Sequence, residues 1–281
     1  MQTGQPSITA LGAAILRAVH QSVDSGRIFT DPFARIILGA DADTHINAAS
    51  ADLAQTPMRI FIAARSRIAE DALKIAVGRG VRQVVILGAG LDTFSLRNPH
   101  AQLGLRVFEV DHPATQAWKR VRLQETNVAI PPTLTFTPVD FTCQDIGQEL
   151  ASAGFRADQP AFFCWLGVVP YLHREAITSI LGFVAGLPCS EIVFDYSEPL
   201  ANYTPERRTN VAALAARTAG IGEPWLSYFD PAELAQELRE RGFDELEDLG
   251  SADIATRYLG IPKADGAPEA GPHVMRARRT T

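Results

Sequence analysis

The stretch Gln83-Val84-Val85-Ile86-Leu87-Gly88-Ala89-Gly90-Leu91-Asp92-Thr93 runs a short apolar strand straight into a glycine turn. In a dinucleotide fold, G-x-G-x-x-G provides a tight turn, room for a pyrophosphate and close helix packing. Gly88 and Gly90, with Ala89 between them, fill the first two roles. The third position is Thr93, and Asp92 would set a negative charge beside a diphosphate. The turn therefore reads as a cofactor site that disfavours NAD. A cofactor with no phosphate and a positive charge fits better, and S-adenosylmethionine, with its sulfonium centre and free amino group, is one.

A second anchor follows one β-α-β step later, where Leu105-Arg106-Val107-Phe108-Glu109-Val110-Asp111 ends in acids 23 residues after Gly88. Ribose hydroxyls are donors, and a carboxylate at a strand tip can accept from both. Asp111 lies at the tip, whereas Glu109 shares its side of the pleat one repeat deeper. A plain exposed acid at a strand end is the alternative reading. His112 follows directly and joins the cofactor set, as does Asp92.

A third strand over residues 134–139 delivers Asp140, Phe141 and Thr142 to the same edge. Asp140 can accept from an exocyclic amine and Phe141 can cover a ring face. Asp140 or Thr142 can equally cap a helix over residues 146–153. The nearly all-apolar fourth strand, residues 161–165, reads as a strand covered on both faces and ends at Trp165, another cofactor candidate. A helix to about residue 186 and a fifth strand over residues 191–195 follow. Ligands in open α/β sheets bind outside the carboxyl ends of the strands, so these five strand ends are expected to converge on one site.

Taken in order, Phe29-Thr30-Asp31-Pro32-Phe33-Ala34, Ala64-Arg65-Ser66-Arg67, the glycine turn, Phe108-Glu109-Val110-Asp111, Val139-Asp140-Phe141-Thr142, Tyr171-Leu172 and Phe194-Asp195-Tyr196 resemble the leucine carboxyl methyltransferase family, including its bacterial branch of S-adenosylmethionine-dependent and polyketide O-methyltransferases. The resemblance covers nearly the whole chain. It implies an α/β fold with a class I methyltransferase-like Rossmann sheet, mostly parallel with a last antiparallel strand, plus helical lid additions. It further implies that Arg65 holds the methionine carboxylate, Gly88 and Gly90 line the turn, Asp111 takes the ribose, and Asp140 with Phe141 contacts adenine. The chain departs from the family at Leu166, where members often carry a glutamate.

The residues around Arg65 support that role on their own. Residues 58–77 are apolar-periodic and predict a helix just before the first strand, and a guanidinium there can bind a carboxylate as a bidentate fork. Arg67 and Asp71, at i and i+4, read instead as a surface pair worth ~0.3 kcal/mol.

At 281 residues the chain can build a large core as one α/β unit with added helices. A formal charge of −6 supplies no basic stripe and speaks against nucleic acid. Cys143, Cys164 and Cys189 have no metal spacing, and with no signal peptide their odd number points to a reducing cytoplasm. No stretch approaches the ~20 apolar residues of a membrane span. The six scattered histidines argue against a metal. A monomer or homodimer is expected.

The expected organisation is a single methyltransferase domain over residues 1–281: an N-terminal helical cap at 1–55, a cofactor-binding core at 56–200, a helical insertion at 201–229 and the C-terminal part of the sheet at 230–281. Within it, residues 7–23 read as an amphipathic helix, Asp31-Pro32 as the start of a second, and 43–54 as a third. Residues 201–220 and 231–241 read as helices, 260–272 as a loop, and 273–278 as the last strand. The acceptor is expected to be a small molecule or peptide with a carboxylate or a hydroxyl. Tyr171, Tyr196, His20 and His112 are candidates to orient its oxygen, although tyrosines at strand ends often serve packing. An NAD-linked oxidoreductase and a cofactor-binding module without turnover are the other classes in play.

Overall fold

The computed structural model of the protein describes residues 7–141, 144–263 and 270–281. Thr142 and Cys143, and residues 264–269 of the expected loop, lie outside the described residues.

The helices, in chain order, are α1 (Ile8–Val23), α2 (Ala42–Ala51), α3 (Thr56–Gly78), α4 (Phe94–Arg97), α5 (Pro113–Glu125), α6 (Ile146–Ser152), α7 (Arg174–Ala185), α8 (Pro205–Gly220), α9 (Pro231–Glu240) and α10 (Ser251–Leu259). The strands are β1 (Gln83–Leu87), β2 (Arg106–Asp111), β3 (Leu134–Pro138), β4 (Phe162–Trp165), β5 (Glu191–Ser197), β6 (Glu245–Leu249) and β7 (Pro272–Arg278). They form a seven-stranded sheet ordered β3-β2-β1-β4-β5-β7-β6. β1, β2 and β3 are mutually parallel, β4 is parallel to β5, and β7 runs antiparallel to β5 and β6. This is the mostly parallel sheet with a trailing antiparallel strand and flanking helices that the sequence implied. The chain resolves into two compact units, Met1–Asp71 with Arg82–Phe155, and Ala72–Val81 with Arg156–Thr281.

In the first unit, all five residues of β1 are buried. Its β-branched run suits a strand covered on both faces. α1 begins where Ser7 Oγ accepts from the Ala10 N–H at 3.1 Å, an N-cap that satisfies one otherwise orphaned donor. Its apolar face, with Ala14, Ala18 and Val19, packs with Ile37, Leu38, Ile46, Leu91 and Leu123 in one buried cluster. Each fully buried Leu or Ile there contributes about 1.5–3 kcal/mol. Leu91 belongs to the glycine turn, so the N-terminal helices pack directly on it.

The helix expected at Asp31-Pro32 does not form. The Asp31 carboxylate accepts from the Phe33 N–H at 3.0 Å in a local turn. A 3-10 segment, Ile36–Asp41, follows and is kinked at Gly39, where φ is +74°. Only beyond that break does α2 start. The helix α6 is capped by Asp145, which accepts from the Gln148 N–H at 2.8 Å, rather than by Asp140, and the Thr142 alternative falls outside the described residues.

In the second unit, β5 extends past Asp195 to Ser197 with every residue buried. α9 starts at the expected Pro231, with Asp230 accepting from the N–H groups of Ala232 and Glu233. The sequence reading missed both β6 and α10.

Candidate functional site

The backbone of the glycine turn fixes its residue types. Gly88 and Gly90 hold φ of +63° and +46°, the left-handed region that side chains disfavour. A Cβ on Gly90 would also stand 3.1 Å from the Cβ of Ala10. The turn is tied to the neighbouring strand through the Ala89 N–H, which donates to the Val110 carbonyl at 3.0 Å.

Asp111 completes this arrangement at the tip of β2. Its Oδ2 accepts from the Gly90 N–H, and its Oδ1 accepts from the His112 N–H at 2.6 Å. Each oxygen keeps a further lone pair, so the carboxylate can still take two hydroxyl donors. Burial pushes the Asp111 carboxyl above its usual range, with the two backbone N–H groups opposing that shift. Glu109, one repeat deeper, has both oxygens committed, to Ser95 Oγ at 2.5 Å and to Lys119 Nζ at 2.7 Å. Lys119 also donates to the Asp92 carbonyl at 2.6 Å. Of the two acids, the geometry leaves Asp111 the one with acceptor capacity at the strand tip.

Asp92 and His112 directly follow the turn and the strand tip in the chain. Asp92 is half-buried and its Oδ1 accepts from the Phe94 N–H at 2.7 Å, opening α4. His112 caps α5, its Nδ1 accepting from the Ala114 N–H at 3.2 Å. The Val139 N–H donates to the Asp111 carbonyl at 2.8 Å, which brings the end of β3, and with it half-buried Asp140 and Phe141, beside Asp111. The Asp140 N–H donates to Gln144 Oε1 at 2.8 Å. Arg65 is half-buried on α3, its guanidinium carbon 5.9 Å from the Phe61 ring centroid.

His20 is fully buried within the N-terminal segment. Its Nδ1 lies 2.9 Å from Asp24 Oδ2, and its Nε2 faces the N–H groups of Ile28 and Phe29, each at 3.4 Å. Both nitrogens thus hold the chain together there and leave no group to orient an acceptor.

In the second unit, Trp165 ends β4 with no exposure, and its indole N–H has no hydrogen-bond partner among the described residues. A buried donor left without an acceptor costs about 1–3 kcal/mol, which a bound acceptor atom would remove. Gly167, at φ +73°, donates its N–H to Asp195 Oδ1 at 2.5 Å. Tyr171 is half-buried in a short 3-10 turn. Tyr196 is buried, donates its hydroxyl to Asp248 Oδ2 at 2.7 Å and stacks on His273 at 5.0 Å. Burial and the Asp248 carboxylate push its phenol far above the usual range, so it stays a protonated donor to Asp248.

Sequence reasoning missed the polar residues that brace the turn from behind, Arg17, Asp31 and Lys119. Lys119 shares a buried helix face with Thr115, Gln116 and Leu123, and a face so polar carries no apolar signal. Among the described residues no cluster of three or more His, Cys, Asp or Glu residues can hold a metal ion. No helix there is long and apolar enough to cross a membrane.

The sheet order and the strand-tip site define a methyltransferase fold. A putative methyltransferase from Thermobifida fusca YX shares it, with a TM-score of 0.58 at 17% identity over 100% of this chain and 97% of that one. A DUF574 family protein from Streptomyces avermitilis MA-4680 shares it with a TM-score of 0.53 at 17% identity over 91% and 97%. The family model "Leucine carboxyl methyltransferase" matches residues 10–185, and the chain belongs to that family. Relatives include the "Putative S-adenosyl-L-methionine-dependent methyltransferase YktD" of Bacillus subtilis (strain 168), 32% identical over 94% of each chain. A "Putative S-adenosyl-L-methionine-dependent methyltransferase" of Mycobacterium avium (strain 104) is 30% identical over 95% of this chain and 92% of its own.

Proposed function

We propose that the protein is an S-adenosylmethionine-dependent O-methyltransferase acting on a small-molecule or peptide acceptor, with a carboxylate as the first acceptor class and a hydroxyl as the second. The observation that carries the reading is Asp111, held by the Gly90 and His112 N–H groups with lone pairs to spare. Arg65 is assigned to the methionine carboxylate, Gly88 and Gly90 to the close approach of the cofactor, Asp111 to the ribose hydroxyls, and Asp140 with Phe141 to adenine. Asp92 disfavours a diphosphate and tolerates a cationic ligand, which separates this cofactor from NAD.

When bound, S-adenosylmethionine supplies a methyl group on an already activated sulfonium. The protein's task is then to hold an acceptor oxygen in line and exclude water, where effective molarities reach ~10^5 M or more. A carboxylate is ionised at neutral pH and needs no base. Tyr171 remains a proposed acceptor-orienting residue, whereas the Tyr196 hydroxyl is bonded to Asp248 and both ring nitrogens of His20 face neighbours of their own. The orphaned Trp165 N–H supports a polar atom of a bound ligand at the end of β4.

Methyl-labelled S-adenosylmethionine offered with panels of carboxylates and phenols tests this reading. Expected is label that base releases as methanol, the signature of a methyl ester. Base-stable label on a phenol or alcohol would move the acceptor to the second class. Cofactor binding with no turnover on any acceptor would leave a binding module.

A further inference from the structure

Glycine turns are conformationally permissive, so a turn that must present fixed N–H groups needs restraint from outside. Here the restraint comes from far away in sequence. Asp31, between α1 and the 3-10 segment, has a fully buried carboxylate. Its Oδ2 accepts from Thr93 Oγ1 at 2.7 Å and lies 2.8 Å from Arg17 Nε. The other arm of Arg17 donates to the Leu91 carbonyl at 2.6 Å. Arg97 Nε stands 3.6 Å from Asp31 Oδ1 and 3.4 Å from Thr93 Oγ1, and its terminal nitrogens fork onto Glu70 at 2.7 and 2.5 Å. Arg17, Asp31, Arg97 and Glu70 thus form one network that is fully buried at Asp31 and partly exposed at Glu70.

We infer that Asp31 is a positioning residue for the cofactor turn: through Thr93 directly and through Arg17 to the Leu91 carbonyl, it fixes the backbone that presents Gly90 to the ligand. The inference rests on the proposed use of S-adenosylmethionine. Two of the network's bonds end on atoms of the turn itself, and Ala10 of the same helix fills the space beside Gly90. A network that served only stability would have no need to end there. Loss of the Asp31 charge also leaves Arg17, which bonds the Leu91 carbonyl, without the carboxylate that stands 2.8 Å from its Nε.

The test uses cofactor-free full-length protein, titrated with S-adenosylmethionine and with S-adenosylhomocysteine, alongside amide hydrogen exchange across residues 88–93. Asp31→Asn and Thr93→Val are expected to weaken binding about ten-fold or more, the scale of a hydrogen bond to a charged group. Both are expected to speed exchange at Leu91 and its neighbours while β1 and β2 keep their protection. Thr93→Ser, which retains the hydroxyl, is expected to bind as the wild type does. If Asp31→Asn does not fold, the contrast between Thr93→Val and Thr93→Ser decides. Wild-type affinity in Thr93→Val, or a fall in thermal stability with binding and local exchange unchanged, overturns the inference and leaves the cofactor assignment standing. A wild-type protein that binds neither ligand overturns both.

Discussion

The backbone N–H of Gly90 donates to the carboxylate of Asp111, so the turn after β1 and the acid that ends β2 form one hydrogen-bonded unit. The turn positions the acid, and the acid in return orients the turn.

Asp111→Asn breaks that reciprocity. The amide has one acceptor atom where the carboxylate has two, and its NH2 group must face either the Gly90 or the His112 N–H. The variant is expected to stay folded by circular dichroism yet bind S-adenosylmethionine about ten-fold or more weakly by titration calorimetry. Affinity within two-fold of wild type would return Asp111 to a purely structural role.

On the proposed assignment of Arg65 to the methionine carboxylate, Arg65→Ala is expected to weaken S-adenosylmethionine binding by about 2 to 4 kcal/mol, since the ligand carboxylate would lose a charged partner. The comparison is with Arg67→Ala, whose side chain pairs with Asp71 at 2.8 Å on the surface and should leave the affinity unchanged. Equal affinities in both variants would remove Arg65 from the site.

Lys119 and Glu109 form a fully buried ion pair behind the turn. Lys119→Met leaves the buried Glu109 carboxylate with the Ser95 hydroxyl but no charged partner and is expected to cost about 3–5 kcal/mol by urea denaturation. Adding Glu109→Gln should recover part of that loss, since the uncompensated charge is gone. A double variant no more stable than Lys119→Met would contradict this account of the pair.

Some of this was legible in the chain and some could not be. The apolar period of α1 and α3 and the continuous apolar run of β1 mark elements whose burial is visible residue by residue. β6 was invisible because Glu245-Leu246-Glu247-Asp248-Leu249 is mostly charged. Its logic appears only once it pairs with β7, which sets Glu245 opposite Arg278, at 2.8 Å, and Glu247 opposite Arg276, at 4.0 Å. The glycine turn and Asp111 were readable because strand tips and turns announce themselves locally. Asp31 was not, because its partner Thr93 lies 62 positions away. Asp31 does make the cap-type bond to the Phe33 N–H, but the turn it opens passes into the 3-10 segment broken at Gly39 instead of an α-helix.

His273 gives the second unit a pH dependence. Burial disfavours its charged form, but Asp248 and Glu198, each 3.1 Å from a ring nitrogen, outweigh that and raise its pKa above the usual 6.5. The stabilisation from the charged imidazole is therefore complete below about pH 6.5 and is lost as pH rises through the higher folded value. Thermal unfolding of the wild type should fall in midpoint across that upper window, and His273→Gln should show a flatter profile. Identical profiles would show that His273 carries no net charge linkage.

The most direct test of the whole account is calorimetric titration of the wild-type protein with S-adenosylmethionine, S-adenosylhomocysteine and NAD. Saturable binding of the first two at one site per chain, with no heat from NAD, is the predicted result. Binding of NAD, or silence from all three, would contradict the claim that the Gly88–Gly90 turn and Asp111 together form a methyl-donor site.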